Sequence, residues 1–567
     1  MLLLRSDSAT RLFERLLSSR PFTIVCLIAV IGVGALRIIS TYKVFNHTND
    51  EPAHIAAGLE WLDRGSYTVE LQHPPLARVT VALGPYLDGF RYHGDGFQER
   101  LRVLYDHDHY WRLLTLARLG ILAFFILATW IVWYWARILY GNAPALLAAL
   151  IFTNLPPVLA HSGLATTDIP LTATLSGALL AFCQWIERGT LARSLILGLA
   201  TGLALLSKFS AGLFLVASVL AILAWRSLIA RHDAQVSLFG SRRRITHLGV
   251  SALTALLVIW AGYQLSYRPL VTKGGPHVTI DRYFASSETL KHLAYFVIEN
   301  VSIPAPEMVF GINEVRRHNE EGHPGYLLGQ YSNYGWWYFF PVALAVKSPL
   351  PFLALTATGF VLLILAAKRQ KDWRRLSPAI AAAAIFLVCL PSNINIGVRH
   401  ILPIYPLLTI VAGYGAAQLW NLSRGRLRGP ATTLGLLFWL IASPAYSHPD
   451  YIAYFNELGG THPEKLLIDS DLDWGQDLQR LADTLHTHNV ETVALAFYGN
   501  ADLTRHGLPT IRPLLPYQPT KGWIAISEMR LKSVHSNAAH DEFAWLENYQ
   551  PVALAGRSIK VYYLPEK

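Results

Sequence analysis

PFTIVCLIAVIGVGALRIISTYKVFNHTNDEPAH, residues 21–54, passes from an apolar run into the acidic pair Asp50-Glu51. A helix crosses a bilayer with roughly 20 apolar residues, so 21–40 reads as a membrane span. Carboxylates cost little in water. Beside a bilayer they are expensive to hold dry, so such a pair has a partner or a job. The stretch therefore predicts an integral membrane protein with a charged layer where the first span ends.

The rest of the chain fits that class. Of its 567 residues, 52% are hydrophobic and 15% charged, against roughly 25% charged in soluble proteins. The mean hydropathy is +0.31. The 16 Trp and 26 Tyr gather near the ends of apolar runs, as in interfacial belts. The net charge of +10 belongs to loop anchoring, because no basic stripe with interleaved aromatics lies outside the spans; nucleic acid is excluded as a partner. Cys26, Cys183 and Cys389 all fall within apolar runs and form neither a disulfide framework nor a CxxC metal motif. Arg5, Arg11, Arg15 and Arg20 precede the first span with no small-residue cleavage site, which reads as a retained signal anchor behind a short amphipathic helix.

Hydropathy places spans at 21–40, 113–139, 143–160, 169–187, 191–207, 209–229, 247–266, 349–367, 376–392, 401–420 and 429–446, about eleven in all. The runs Pro74–Leu87 and Trp336–Val346 read as surface helices. One set of loops is basic: the N-terminus, Arg137, 187–193, 226–244, 368–375 and 424–428. By the positive-inside rule these face the cytoplasm, with the N-terminus. Segments 41–112, 161–168, 207–209, 267–348, 393–400 and everything after 446 are then extracytoplasmic. The predicted organisation is a predominantly α polytopic bundle over 1–446, with large outer loops 41–112 and 267–348. A small extracytoplasmic α/β domain follows over 447–567, with strand-like runs at 466–468, 490–497, 523–526 and 559–563. Helical runs at 475–488 and 541–549 alternate with them. Another helix is expected over His54–Arg64, stopped by Gly65.

The chemically suggestive residues all fall on the outer side. They are Asp50, Glu51, His54 and His73 in the first loop, Asp168, Lys208, Lys347, and Arg399 with His400. A lipid phosphate needs Lys or Arg at interface depth, and Arg suits phosphate oxygens bidentately. An acceptor hydroxyl needs a carboxylate base within reach. Each residue also has a plainer reading. Asp50-Glu51 before Pro52 fits a helix N-cap, and so does Asp168 in Thr-Asp-Ile-Pro. Lys208, Lys347 and Arg399 fit snorkelling flank residues. Their shared side and depth favour a site.

These stretches resemble the GT-C superfamily of polyprenyl-phosphate-dependent glycosyltransferases, within it the clan of protein O-mannosyltransferases and lipid A aminoarabinose transferases. The resemblance covers roughly residues 20–420. It rests on NDEPAHIAAGLEWLDRGSY with QHPPLARV, ATTDIPLTATL, GLALLSKFSAGLFL, YLLGQYSNYGWWYFFPVALAVKSPLPFL and RHILPIYPLL, in that order. It implies a GT-C fold and inverting transfer of a hexose or pentose from a polyprenyl phosphate to an acceptor hydroxyl outside a bacterial plasma membrane. The acceptor class, whether protein, lipid or glycan, stays open. The resemblance implies a first-loop general base at Asp50 or Glu51, with Asp50 favoured. Asp168 would orient the acceptor or a cation, and Lys208, Lys347 and Arg399 would contact the donor phosphate, with His54 and His400 beside them. His73 stands where many relatives carry Lys, which leaves donor contact there open. No cofactor is required; a divalent cation, if used, would take Asp50, Glu51, His73 and Asp168.

The tail segment Asp469-Ser-Asp-Leu-Asp473-Trp-Gly-Gln-Asp477 contains an Asp-x-Asp of the kind that holds a divalent cation against a diphosphate. Nucleotide sugars are not expected outside the membrane, so a structural role, with Asp473 as a helix cap, is the stronger reading. The segment resembles a recurrent tail of bacterial members of the clan, where acceptor recognition is its open alternative. Two rivals to transfer differ in where their charges belong. A transporter or flippase would set its charges along the bundle axis. A lipid-linked-oligosaccharide ligase would lack the Asp-Glu first loop.

Overall fold

The computed structural model describes residues 19–94, 99–105, 109–229, 241–271, 281, 286–422, 428–536 and 539–565. The N-terminal Arg5, Arg11 and Arg15, and much of the basic loops 226–244 and 424–428, lie outside the described residues.

A helix, or in one place a bent pair, stands at each of the eleven expected spans. Six of these helices are long and apolar enough to cross a membrane: Pro21–Ile39, Tyr110–Tyr140, Asp168–Glu187, Ser210–Ile229, Arg242–Gly262 and Leu350–Ala367. The expected span 143–160 is broken into Asn142–Phe152 and Pro156–Ser162, which meet at 64°. Pro156 and Pro157 start the second half; proline lacks the N–H that would continue the first. Leu191–Ser207 is apolar but shorter. Ser377–Cys389 is shorter still, at 13 residues. Ile404–Asn421 and Arg428–Ser447 complete the set.

Asp168–Glu187 is buried on almost every face, as expected of a helix apolar all round. The Tyr110–Tyr140 helix has 31 residues, roughly 46 Å at 1.5 Å each, well beyond the ~30 Å hydrocarbon thickness. Its first two turns therefore extend into the layer of the first loop. That loop contributes the helices Glu51–Arg64 and Pro75–Leu87. The first ends at Gly65, whose φ of 65° suits glycine. Two antiparallel strand pairs, β1 (Tyr267–Pro269) with β2 (Ser302–Pro304) and β3 (Gly325–Leu327) with β4 (Gln330–Ser332), edge the second large loop. The helix Phe339–Lys347 follows them.

After Ser447 the chain builds one five-stranded mixed sheet from β5 (Thr492–Ala496), β6 (Thr510–Pro513), β7 (Gly522–Ser527), β8 (Ala553–Ala555) and β9 (Ile559–Leu564). The order is β6-β5-β7-β9-β8, parallel around β5 and antiparallel around β9. Alternation along β5 explains its two covered faces. Val493 and Leu495 pack with Leu478, Leu481 and Leu485 of the helix Leu478–Thr487. Ala494 and Ala496 turn to Leu514, Phe543 and Leu546 on the other side. The expected strand at 466–468 is absent, because Leu467 and Ile468 spend their apolar surface against the bundle and β3 instead. The expected helix at 541–549 forms only as one 3-10 turn, Ala544–Asn548.

Candidate functional site

The two carboxylates of the first loop have different surroundings. Glu51 is fully buried and accepts five hydrogen bonds. Two come from Arg118 Nε and Nη2 at 2.8 Å, one from the Ala165 amide at 2.9 Å, and two from the Thr48 amide and hydroxyl. Both its oxygens are committed. Arg118 lies near the start of the Tyr110–Tyr140 helix and also donates to the carbonyls of Tyr42, Phe45 and Asn46. The pair therefore pins the first loop to the bundle.

Asp50 occupies the N-cap position of Glu51–Arg64, yet its side chain makes no cap bond. It accepts from Arg399 Nη1 at 2.7 Å and keeps 35% of its side-chain surface accessible. Burial pushes the Asp50 carboxyl up, but the Arg399 guanidinium, helped by His54 and the Arg399 hydrogen bond, holds it below the usual carboxylate range. The same Arg399 nitrogen lies 4.0 Å from Asp168 Oδ2. Asp168 caps nothing: it is the first residue of its helix, and its Oδ1 accepts from Lys208 Nζ at 2.7 Å. Asp50, Asp168, Lys208 and Arg399 thus form one chain of alternating charge, built from loops and helix ends far apart in sequence.

Unpartnered buried polar atoms gather around this chain. His73 Nδ1, His161 Nδ1, Thr166 Oγ1, Asp168 Oδ2 and Arg399 Nε have no hydrogen-bond partner among the described residues. Each such atom costs about 1–3 kcal/mol unless something polar meets it, so their clustering marks a place suited to a polar ligand.

The other expected residues fall into three groups. His54 accepts from Arg78 Nε at 3.1 Å and meets His73 edge-on, ring centroids 5.2 Å apart. Burial, followed by the nearby Arg78 charge, pulls both imidazoles below their usual range, so they are neutral at pH 7. His400 stacks on Phe340 and is likewise held neutral, by burial first and then by the Lys208 and Arg399 charges. Lys347 is not in the cluster. Its ammonium is buried on the carbonyls of Ile452 at 2.7 Å and Asp471 at 2.6 Å, over the Phe455 ring. Burial lowers its pKa to about 8.

Four participants were not expected. Arg118 and Arg78 are buried guanidiniums whose signal was a cation within or beside an apolar run. His161 and Trp474 adjoin the charged chain: the Trp474 ring lies 4.2 Å beneath the Arg399 guanidinium and 6.1 Å from the His161 ring. The carboxylates of the tail acidic motif are spent on backbone amides, Asp469 on that of Ser470. Asp471 accepts from the Val398 amide at 3.1 Å, and Asp473 from the Met529 amide at 2.8 Å and the Gly475 amide at 3.3 Å. Asp473 is therefore no helix cap; the helix begins later, at Leu478. Among the described residues no group of three or more His, Cys, Asp or Glu is arranged to hold a metal ion. Asp50, Glu51 and Asp168 each face a protein cation instead.

A cavity of about 340 Å³ opens beside Asn49, lined also by Phe497, Tyr498, Arg530, Ser533 and His535 among others. Polar and aromatic walls together suit a hydroxyl-bearing molecule.

Residues 114–263 match the family model for dolichyl-phosphate-mannose-protein mannosyltransferases. The matched quarter of the chain carries Arg118, Asp168 and Lys208; Asp50, Arg399 and the tail lie outside it. No curated protein sequence matches the chain. Among solved structures, ArnT from Cupriavidus metallidurans bound to undecaprenyl phosphate is similar over 94% of this chain and 97% of its own, at 13% identity and a TM-score of 0.46. The archaeal oligosaccharyltransferase AglB from Archaeoglobus fulgidus, in complex with an inhibitory peptide and a dolichol-phosphate, is similar over 93% of this chain and 72% of its own, at 13% identity and a TM-score of 0.49.

Proposed function

We propose that this protein is an integral membrane glycosyltransferase that moves a sugar from a polyprenyl phosphate to an acceptor hydroxyl, on the extracytoplasmic face and with inversion. The observation that carries this reading is Arg399, whose guanidinium joins Asp50 to Asp168 within a cluster of unpartnered buried polar atoms. The match of residues 114–263 to a family named for a lipid-phosphate mannose donor supports the donor class. The basic loops support an inward N-terminus and an outward tail.

In this reading Arg399 and Lys208 receive the donor phosphate. A phosphate competes with Asp50 for Arg399, so donor binding loosens the ion pair and raises the proton affinity of Asp50. The acceptor hydroxyl then attacks the anomeric carbon as the bond from that carbon to the phosphate oxygen breaks. The hydroxyl proton passes to Asp50, and the phosphate leaves with the bonding electrons against the two cations. Phosphate is a good leaving group and needs little acid assistance. Glu51 acts as the anchor of the loop and not as the base. His73 and His54, held neutral, shape the wall without adding charge.

The test is transfer of radiolabel from a panel of polyprenyl-phosphate sugars by the purified protein in detergent. Transfer by the wild type that falls at least about a hundredfold in Arg399→Met, the scale of one lost transition-state contact, supports the reading. Full transfer by Arg399→Met, or none from any donor by the wild type, overturns it.

A further inference from the structure

Two arms of the candidate site meet although Asp50 and Arg399 are 349 residues apart in sequence. One is the first-loop segment Asn46–Asp50. The other is Gly397–Arg399, just before the helix Ile404–Asn421. A single stretch of the tail, Asp469–Gln476, holds both.

The first arm is stitched to it by backbone and amide groups. Asn46 is fully buried; its Nδ2 donates to the Gly475 carbonyl at 2.7 Å, and just past the stretch its Oδ1 accepts from the Leu478 amide at 2.7 Å. The Asn49 amide donates to the Trp474 carbonyl at 3.3 Å. The second arm is gripped by neighbouring residues of the same stretch. The Asp471 carboxylate accepts from the Val398 amide, and the Ser470 hydroxyl donates to the Ile396 carbonyl. Gly397, at φ 154°, lies so close to Ser470 Oγ that a side chain there would collide with it. The stretch is itself held from below, where Lys347 donates to the Asp471 carbonyl. Within it, Gln476 Oε1 accepts from the Trp474 backbone amide at 2.8 Å, tying down the main chain from which the indole projects.

The indole is 2% exposed and presents its face to the Arg399 guanidinium. A guanidinium that shares one nitrogen between two carboxylates needs its plane fixed by something other than those carboxylates. An aromatic face does this without competing for its N–H groups.

We infer that the tail stretch Asp469–Gln476 is a clamp that sets the Asp50–Arg399 geometry, with Trp474 the positioning residue for Arg399. The role in catalysis rests on the transfer reading above; the clamp itself does not. The α/β tail is then an integral part of the site, because the residue that orients its central cation comes from there.

The test uses the full-length protein in detergent, with Trp474→Phe and Trp474→Leu. Two readouts are taken: binding of undecaprenyl phosphate, and backbone hydrogen exchange at 46–50 and 397–399 compared with strands β5–β9. The clamp predicts that Trp474→Leu weakens undecaprenyl phosphate binding about tenfold, the scale of one desolvated cation–π contact. It also predicts faster exchange in both arms and unchanged exchange in the sheet. Trp474→Phe, which keeps an aromatic face, restores both within about threefold. Wild-type exchange in both arms of Trp474→Leu overturns the clamp, and so does an increase spread evenly through the sheet. If the wild type binds no undecaprenyl phosphate while exchange responds as predicted, the clamp stands and the donor assignment falls.

Discussion

Arg399 holds Asp50 at 2.7 Å while remaining 4.0 Å from Asp168, so one guanidinium is shared between two carboxylates that come from separate parts of the chain. This sharing separates the two members of the Asp50-Glu51 pair. Asp50 has a partner that, in the proposed transfer, a phosphate takes from it. Glu51 has Arg118, which three backbone carbonyls hold in place. Adjacent carboxylates thus receive different tasks from their surroundings.

Glu51→Gln is expected to act on stability. It leaves the Arg118 charge buried without its counter-ion, a change that typically costs about 3–5 kcal/mol. Thermal unfolding in detergent should show a clear drop, and Glu51→Gln combined with Arg118→Met should recover part of it. An unchanged melting temperature with abolished transfer would instead give Glu51 a chemical role.

Lys347→Met should loosen the tail without removing the donor site. The ammonium holds the carbonyls of Ile452 and Asp471, so its loss leaves two buried acceptors unpaired. Proteolysis of the tail should accelerate, while undecaprenyl phosphate affinity falls no further than in Trp474→Leu, about tenfold, because the loosened stretch still carries the indole. A loss of affinity as large as that of Arg399→Met would return Lys347 to the phosphate.

The tail also carries a pH signature. Burial lifts the Asp469 carboxyl from its ordinary 3.8 to about 7, against the opposing pull of Arg399 and the Ser470 amide and with the help of Asp50 and Asp471. The folded protein therefore keeps a proton that the unfolded chain has already lost. Stability falls as pH rises from about 4 to 7, and this contribution is flat above that. Asp473, raised by burial to about 8, adds a slope of the same sign. Asp50, whose pKa is depressed, contributes oppositely: its stabilisation is present above the ordinary carboxylate range and is lost as pH falls below it. Melting temperatures measured from about pH 4.5 to 8 should fall less steeply in Asp469→Asn than in wild type. An unchanged slope would contradict the assignment.

Much of the bundle was legible because apolar length and loop charge are local signals. The eleven expected spans each meet a helix or helix pair, although among the described residues six pass as full-length apolar crossings. Part of the shortfall has a visible cause: Pro156-Pro157 breaks one span, and the Ser377 helix is short. Asp50, Asp168, Lys208 and Arg399 were legible as charges at span ends. Lys347 was not, because an ammonium at the foot of an apolar helix looks the same whether it meets a headgroup or a carbonyl. Arg118 escapes notice because a single cation is tolerated within a long apolar run, and its partner Glu51 is 67 residues away. Trp474 was illegible for a different reason. Its partner Arg399 is found only by folding the tail back on the bundle, and no local pattern announces that contact.

The most direct test of the account is the rate of sugar transfer and the affinity for undecaprenyl phosphate in Asp50→Asn, measured side by side. Removing a general base typically costs about 10²–10⁴-fold in rate. The account predicts such a loss with donor affinity kept or improved, because a neutral amide in place of the carboxylate no longer competes with the phosphate for Arg399. Transfer undiminished in Asp50→Asn would contradict it.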